Sequence, residues 1–180
     1  IDNRGVVADF PACPMLTGLL ANALGWNRTE GERLDRLQER IAFAAARVRA
    51  GARRQDYQTA RLFERDAGWT TRGRPEGRAP SPSFAWETTE RGERLKSLTH
   101  QRWRDFDADA LVLVALALDP EDEAPTPADV ATALDRPERP LFIGRKPFVP
   151  SAPIRRTRPI AAASPIEALA LALDAASGPV

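Results

Sequence analysis

The 180-residue sequence predicts an α+β sandwich. Helical periodicity recurs in four places, one run is apolar on both alternations, and the two patterns interleave, so that strands are separated by helices and a sheet has cover. The first helix is the clearest. In Asp9 to Trp26, DFPACPMLTGLLANALGW, residues Leu16, Leu19, Leu20, Ala23 and Leu24 fall on one helical face. Pro14 suits the first turn, where its missing N–H costs nothing. Gly25 suits the position just past the end, where φ turns positive. Gly18 lies opposite the leucines, either on a solvated face or where another backbone comes close.

The following elements are read in chain order. Asn3-Arg4-Gly5 reads as a turn. Thr29-Glu30-Gly31-Glu32 is a capping-box pattern that opens a helix with Leu34 and Leu37 on its buried stripe. From Ile41 to Arg49 helix and strand fit equally well. Gly51 to Arg54 is a basic turn, and Asp56-Tyr57-Gln58-Thr59 begins a short strand. Arg61 to Thr99 has no usable period and reads as an insertion. Within it Trp69, Phe84 and Trp86 are interleaved with Arg72, Arg74 and Arg78, a mixture that can stack on bases and pair with phosphates, or pin a loop to the core. Ala110 to Leu118, ALVLVALAL, reads as a central strand buried on both faces. Thr126 caps a helix with Pro127 in its first turn. Pro140 to Pro147 reads as a short strand running into a basic glycine loop. Ser164-Pro165-Ile166-Glu167 caps a last helix carrying Leu169 and Leu173.

Bulk composition narrows the class. Hydrophobic content of 43% with 28% charged residues is that of a globular protein. No apolar run reaches the roughly 18 residues that span a bilayer. No signal peptide opens the chain, and a cytoplasmic setting without membrane contact is expected. The missing initiator methionine suggests part of a longer chain. One cysteine, Cys13, excludes an internal disulfide framework and a multi-cysteine metal site.

Net charge is only +1, but its distribution is segregated. Residues 105–138 hold ten acids against Arg136 alone, and residues 139–158 hold Arg139, Arg145, Lys146, Arg155, Arg156 and Arg158 with no acid. Residues 61–104 hold ten bases against six acids. Such segregation suggests one surface that attracts a polyanion. Only Lys96 and Lys146 are lysines.

Little in the chain points to catalysis. There is one histidine, His100, and no G-x-S-x-G elbow, Walker loop or G-x-G-x-x-G. Asp105, Asp107 and Asp109 alternate, but lack the glycine and distal acid of a calcium loop. No metal and no cofactor are expected. Gly144-Arg145-Lys146 is the better candidate, because glycine admits a phosphate to the backbone and adjacent cations neutralise it. Arg102-Trp103-Arg104 is a second candidate of the same kind.

Four pieces, in order, resemble one family. They are Phe10-Pro11 with Leu16-x-Gly18-Leu19-Leu20 and Leu24-Gly25; Asp56-Tyr57-Gln58-Thr59; Gln101-x-Trp103-Arg104-x-Phe106 leading to Asp109-Ala110; and Pro140-Leu141-Phe142-Ile143-Gly144-Arg145-Lys146 with Pro150 behind it. Together they resemble the fifth Cas protein family, and within it the CasD branch of the type I-E CRISPR Cascade complex. The resemblance implies an RRM-like, ferredoxin-like (RAMP) domain over residues 1–150, with an inserted hairpin or disordered loop at about 61–99, and a small C-terminal extension with a helix over 151–180. It favours a strand at Ile41 to Arg49. It implies an opening apolar strand that lies before Ile1 and is missing here. Relatives carry a basic residue then Ser where this chain has Cys13-Pro14.

The resemblance further implies a non-catalytic subunit that grips the 5′ handle of the CRISPR RNA and caps the complex in antiviral defence. Expected partners are the backbone subunit, the large PAM-reading subunit and, through the complex, target DNA. Expected RNA contacts are Arg4, Tyr57, Gln58, Arg72, Arg102, Arg104, Gly144, Arg145 and Lys146. The alternatives are a metal-independent endoribonuclease of the type I-C kind, for which Tyr57, Lys96 and His100 are the available residues, and a protein–protein scaffold.

Overall fold

The structure, a computed structural model, describes residues 4–5, 7–63, 68–69, 75–76 and 85–177. Its elements are β1 (Arg4–Gly5), α1 (Cys13–Ala23), α2 (Gly31–Arg40), β2 (Ile41–Arg49), β3 (Ala52–Phe63), β4 (Gly68–Trp69), β5 (Pro75–Glu76), β6 (Ala85–Thr88), β7 (Arg94–Ala108), β8 (Leu111–Leu118), α3 (Pro127–Asp135) and α4 (Pro165–Ser177). The chain divides into two compact units, Asp9–Arg49 with Leu111–Val180, and Ile1–Ala8 with Ala50–Ala110.

The first of these units holds the four helices of the described residues and the β2–β8 pair. In α1, Leu16, Thr17, Leu20, Ala21 and Ala23 are buried, whereas Leu19 and Leu24 are half-buried. The buried stripe is therefore turned slightly from the all-leucine face. Small residues at 17 and 21 let α1 lie close to its neighbours, and the Thr17 hydroxyl is satisfied by the Cys13 carbonyl at 3.0 Å. The helix ends as Gly25 suggested. Gly25 has φ +78°, the Trp26 N–H reaches the Ala21 carbonyl (2.9 Å), and the Gly25 N–H reaches Asn22 (3.2 Å). This is a Schellman closure. No neighbour stands within 4 Å of a Cβ built at Gly18, which is exposed among the described residues.

Helix α2 begins one residue later than its capping pattern suggests. Glu30, not Thr29, is the N-cap residue, and its carboxylate accepts from the Asn27 N–H and from Arg33. Leu37 is 1% exposed, and Arg40 at the end of the helix is also buried. Its Nη2 donates to the Pro120 and Glu123 carbonyls, both at 2.6 Å. Ile41 then turns straight into extended backbone, so the ambiguous stretch is the strand β2. It pairs antiparallel with β8 from Ile41↔Leu118 to Arg49↔Leu111. Among the described residues β8 has no second partner, and Leu111 to Ala117 are only half-buried. The run expected at the centre of a sheet is one strand of a two-stranded ribbon, with α4 packed on both strands. Leu20, Ala21, Trp26, Leu37, Leu118 and Val130 form the core of this unit. Thr126 and Asp129 cap α3 reciprocally, as their spacing suggests. Ser164 and Glu167 cap α4.

The other unit is built on a long antiparallel pair. β3 and β7 run without a register shift from Ala52↔Ala108 to Phe63↔Ser97. The four residues expected as a short strand are the middle of a twelve-residue one. Gly51, with φ +73°, precedes β3, and a Cβ there would lie 2.4 Å from the Ala108 carbonyl oxygen. Ser97 and Trp103 each have β3 on one side and another strand on the other, so β6 and β1 share the second edge of β7. The turn expected at residues 3–5 is thus replaced by a short parallel strand, Arg4↔Trp103 and Gly5↔Arg104. Its backbone groups find ladder partners on β7 instead of closing on themselves.

Candidate nucleic-acid interface

Side chains on a strand alternate between faces, so the unbroken β3–β7–β6 register assigns each residue to one of two faces. One face carries Arg53, Gln55, Tyr57, Thr59 and Arg61 of β3, Ser97, Gln101, Trp103, Asp105 and Asp107 of β7, and Glu87 of β6. Its charged groups are engaged across the strands. Arg53 pairs with Asp107, Gln55 donates to Asp105 (2.9 Å), and Glu87 accepts from Arg61 and Ser97. The alternating acids at 105 and 107 are thereby engaged by cross-strand donors.

Among the described residues, the opposite face carries Arg54, Arg94, Lys96, Arg102 and Arg104, against the single acid Asp56. Asp56 lies opposite Arg104 in the ladder and accepts from Gln58 at 2.8 Å. Trp86, 57% exposed, sits on the same face. The Arg94 guanidinium and the Lys96 amine stand 5.3 and 5.1 Å from its ring centroid. Cation–π contact of that kind contributes about 0.5–1 kcal/mol at an exposed site. Five cations on one face with one acid make a local positive potential that a nearly neutral chain conceals. Cations beside an exposed aromatic are the elements of a single-strand binding surface.

This surface gathers three of the expected contact residues, Gln58, Arg102 and Arg104. Tyr57 belongs to the other face, directly across from Trp103, with ring centroids 5.4 Å apart. Arg4 holds the register position beside Trp103 on β1. Arg72, together with Arg74, Arg78 and Phe84, lies outside the described residues, and of Trp69 only the backbone is described. The sequence contained a signal for the basic face that the aperiodic reading of 61–99 obscured. Arg94, Lys96, Arg102 and Arg104 all fall on even positions, the period of a strand.

Gly144, Arg145 and Lys146 belong to the helical unit. The strand expected at 140–147 is not formed; the segment is a tight loop. Gly144 has φ +75°, and the Arg145 N–H reaches back to the Ile143 carbonyl at 2.9 Å, making a γ-turn. The Ile143 N–H to Phe148 carbonyl bond (2.8 Å) closes the loop. Cross-strand pairing is replaced by these local bonds. Gly144 has open space around it, Lys146 is exposed, and the Arg145 guanidinium lies 4.4 Å from the Phe148 ring centroid.

Two arginines that lent weight to this loop have structural partners. Arg139 donates to the Gly25 and Trp26 carbonyls (2.8 Å each) and to Asn27, closing the end of α1. Arg155 grips Asp135 through two nitrogens and the Thr157 carbonyl through a third. Those hydrogen bonds hold the Asp135 carboxyl below its ordinary value and push Arg155 up. Cys13, where a positive charge was expected, places its thiol 3.7 Å from the Gln38 carbonyl.

Residues 1–177 match the family model Cas_Cas5d, described as "CRISPR-associated protein (Cas_Cas5)". The chain belongs to the Cas5 family. No curated protein matches it. A solved chain described as "CRISPR RNA-guided surveillance complex" superposes with a TM-score of 0.53 at 25% identity, over 84% of this chain and 53% of that one. This Cas5 chain therefore spans about half the length of the solved chain it resembles. The mixed helices and antiparallel sheets agree with the expected RRM-like, ferredoxin-like fold. Among the described residues no helix is long and apolar enough to cross a membrane.

Proposed function

We propose that this Cas5 chain is a non-catalytic CRISPR RNA-binding subunit of a surveillance complex of the type I-E kind. It grips the 5′ handle of the guide and caps the backbone. The observation that carries the reading is the β3–β7 face with Arg54, Arg94, Lys96, Arg102 and Arg104 against Asp56. A phosphate backbone meets cations there, while the guide itself supplies sequence recognition by pairing. The backbone subunit and the large PAM-reading subunit are the protein partners in this reading, and target DNA is met through the complex. A salt titration of RNA binding tests it: log affinity should fall by roughly 0.7 per decade of salt for each phosphate neutralised on a single strand. Absence of binding to repeat RNA, alone or in the assembled complex, would overturn it.

A second reading is favoured by the label of the matching family model, which is that of the type I-C branch. There the equivalent subunit cleaves precursor RNA without metal. What supports the non-catalytic reading is the separation of the available groups. Tyr57 is opposite Trp103, seven residues along β7 from Lys96 and on the other face. Seven residues of strand span about 23 Å, too far for both to serve one phosphodiester. His100 holds the register position opposite Ala60. Incubation with labelled repeat RNA in a chelator decides the matter. Cleavage that is lost in His100→Ala would replace the first reading by the second.

A further inference from the structure

The face of the β3–β7 sheet opposite the basic one has an exposed aromatic at its centre that the phosphate-binding reading leaves without a role. Tyr57 is 51% exposed and rests against Trp103 at 5.4 Å with the rings tilted by 49°. A cross-strand aromatic pair stabilises a ladder, but that role alone does not need the tyrosine ring half in solvent. Its surroundings are unlike a protein-docking patch. Gln55, Thr59 and Gln101 are exposed around it, and the charged groups of this face, Asp105 with Gln55, Arg53 with Asp107 and Arg61 with Glu87, are already engaged. An aliphatic partner would strand those amides and that hydroxyl, whereas a flat heterocycle with donors and acceptors at its rim matches both ring and amides.

Resting on the RNA-binding reading above, we infer that Tyr57 and Trp103 form a stacking platform for one unpaired nucleobase, with Gln55 and Gln101 placed to meet its edge. The sheet then divides the work by face. One face holds phosphates by charge, and the other holds a base by contact that is independent of charge. Tyr57 acts here through its ring and not through its hydroxyl.

The test uses the full chain and two probes: a 12-nucleotide single-stranded RNA of mixed sequence, and the same sugar-phosphate backbone with every base removed. The readout is the ratio of the two affinities at several salt concentrations. Tyr57→Phe keeps the ring and should keep the ratio. Tyr57→Leu keeps apolar packing on Trp103 but removes the π face. It should lower the ratio about fivefold to a hundredfold, the range for loss of one base stack. The salt dependence should not change, because no charge is altered. Circular dichroism melts confirm that both variants fold. A ratio unchanged in Tyr57→Leu overturns the platform while leaving the RNA-binding reading intact. So does an equal loss in Tyr57→Phe, which would assign the effect to the hydroxyl. Failure of the unaltered protein to bind either probe overturns both readings together.

Discussion

Arg53 and Asp107 close an ion pair across the β3–β7 ladder, Nε to Oδ1 at 2.5 Å, with the carboxylate side chain only 8% exposed. One pair along the ladder, Arg54 stands opposite Phe106 and has no carboxylate across from it. Neighbouring arginines in the sequence therefore have different tasks, set by which face they leave.

That difference predicts unequal effects of charge removal. Replacing Arg54 by Gln should reduce the magnitude of the salt slope for single-stranded RNA by about 0.7, one phosphate's worth. Replacing Arg53 by Gln should leave the slope where it was and lower thermal stability instead. Fluorescence anisotropy across a potassium chloride series measures the first, and a melting curve the second.

The γ-turn loop separates its two cations in the same way. Lys146 is exposed and Arg145 lies over Phe148. Lys146→Glu should weaken assembly on RNA without changing stability. Arg145→Glu should weaken assembly and also lower the melting temperature, because the Phe148 contact is lost. Unchanged assembly in both variants would remove the loop from the interface.

Two glycines of the α1 segment should respond oppositely to alanine. Gly18 is helical with nothing within 4 Å of a built Cβ, so Gly18→Ala should stabilise by about 0.5–1 kcal/mol. Gly25 has φ +78° and a built Cβ would lie 3.1 Å from the Glu138 Cβ, so Gly25→Ala should destabilise. Denaturant titration distinguishes the signs. A Gly18→Ala chain that is more stable but no longer joins its complex would show that a partner's backbone approaches there.

Acid should loosen the helical unit through identifiable carboxylates. The Arg36 hydrogen bonds hold Glu123 below its ordinary value, and the Arg155 hydrogen bonds do the same for Asp135. A carboxyl depressed in the folded state contributes stability above its unfolded value, about 4, and loses that contribution as pH falls through the folded value. Glu123→Gln and Asp135→Asn should therefore melt lower than the unaltered chain at pH 7, and the gap should close as the pH approaches 2. A gap that widens in acid would contradict this.

The helix boundaries were legible where capping residues and turn glycines speak locally. Thr126, Ser164, Pro14 and Gly25 each act within a few residues, so the sequence names them. What was hidden depends on partners far along the chain. Arg139 reads as a free cation until the carbonyls of Gly25 and Trp26 are placed beside it. Arg40 ends a polar helix, and nothing near it in the sequence shows that it is buried against the carbonyls of Pro120 and Glu123. The segment 140–147 has the apolar residues of a strand, but Gly144 turns it back on itself before a ladder can form. The candidate site was half legible. Arg102 and Arg104 were named from sequence, whereas their alliance with Arg54, Arg94 and Lys96 required the register.

The two lysines also have a use as reporters. Lys96 stands on the basic face of the β3–β7 sheet, and Lys146 stands in the γ-turn loop. Each candidate surface thus carries one side-chain primary amine in a chain whose other cations are guanidinium groups. An acylating reagent modifies amines and leaves arginine untouched, so the two surfaces occupy separate peptides in a single labelling experiment. Protection of one amine, the other or both on adding RNA would map which surface is covered, without altering a residue.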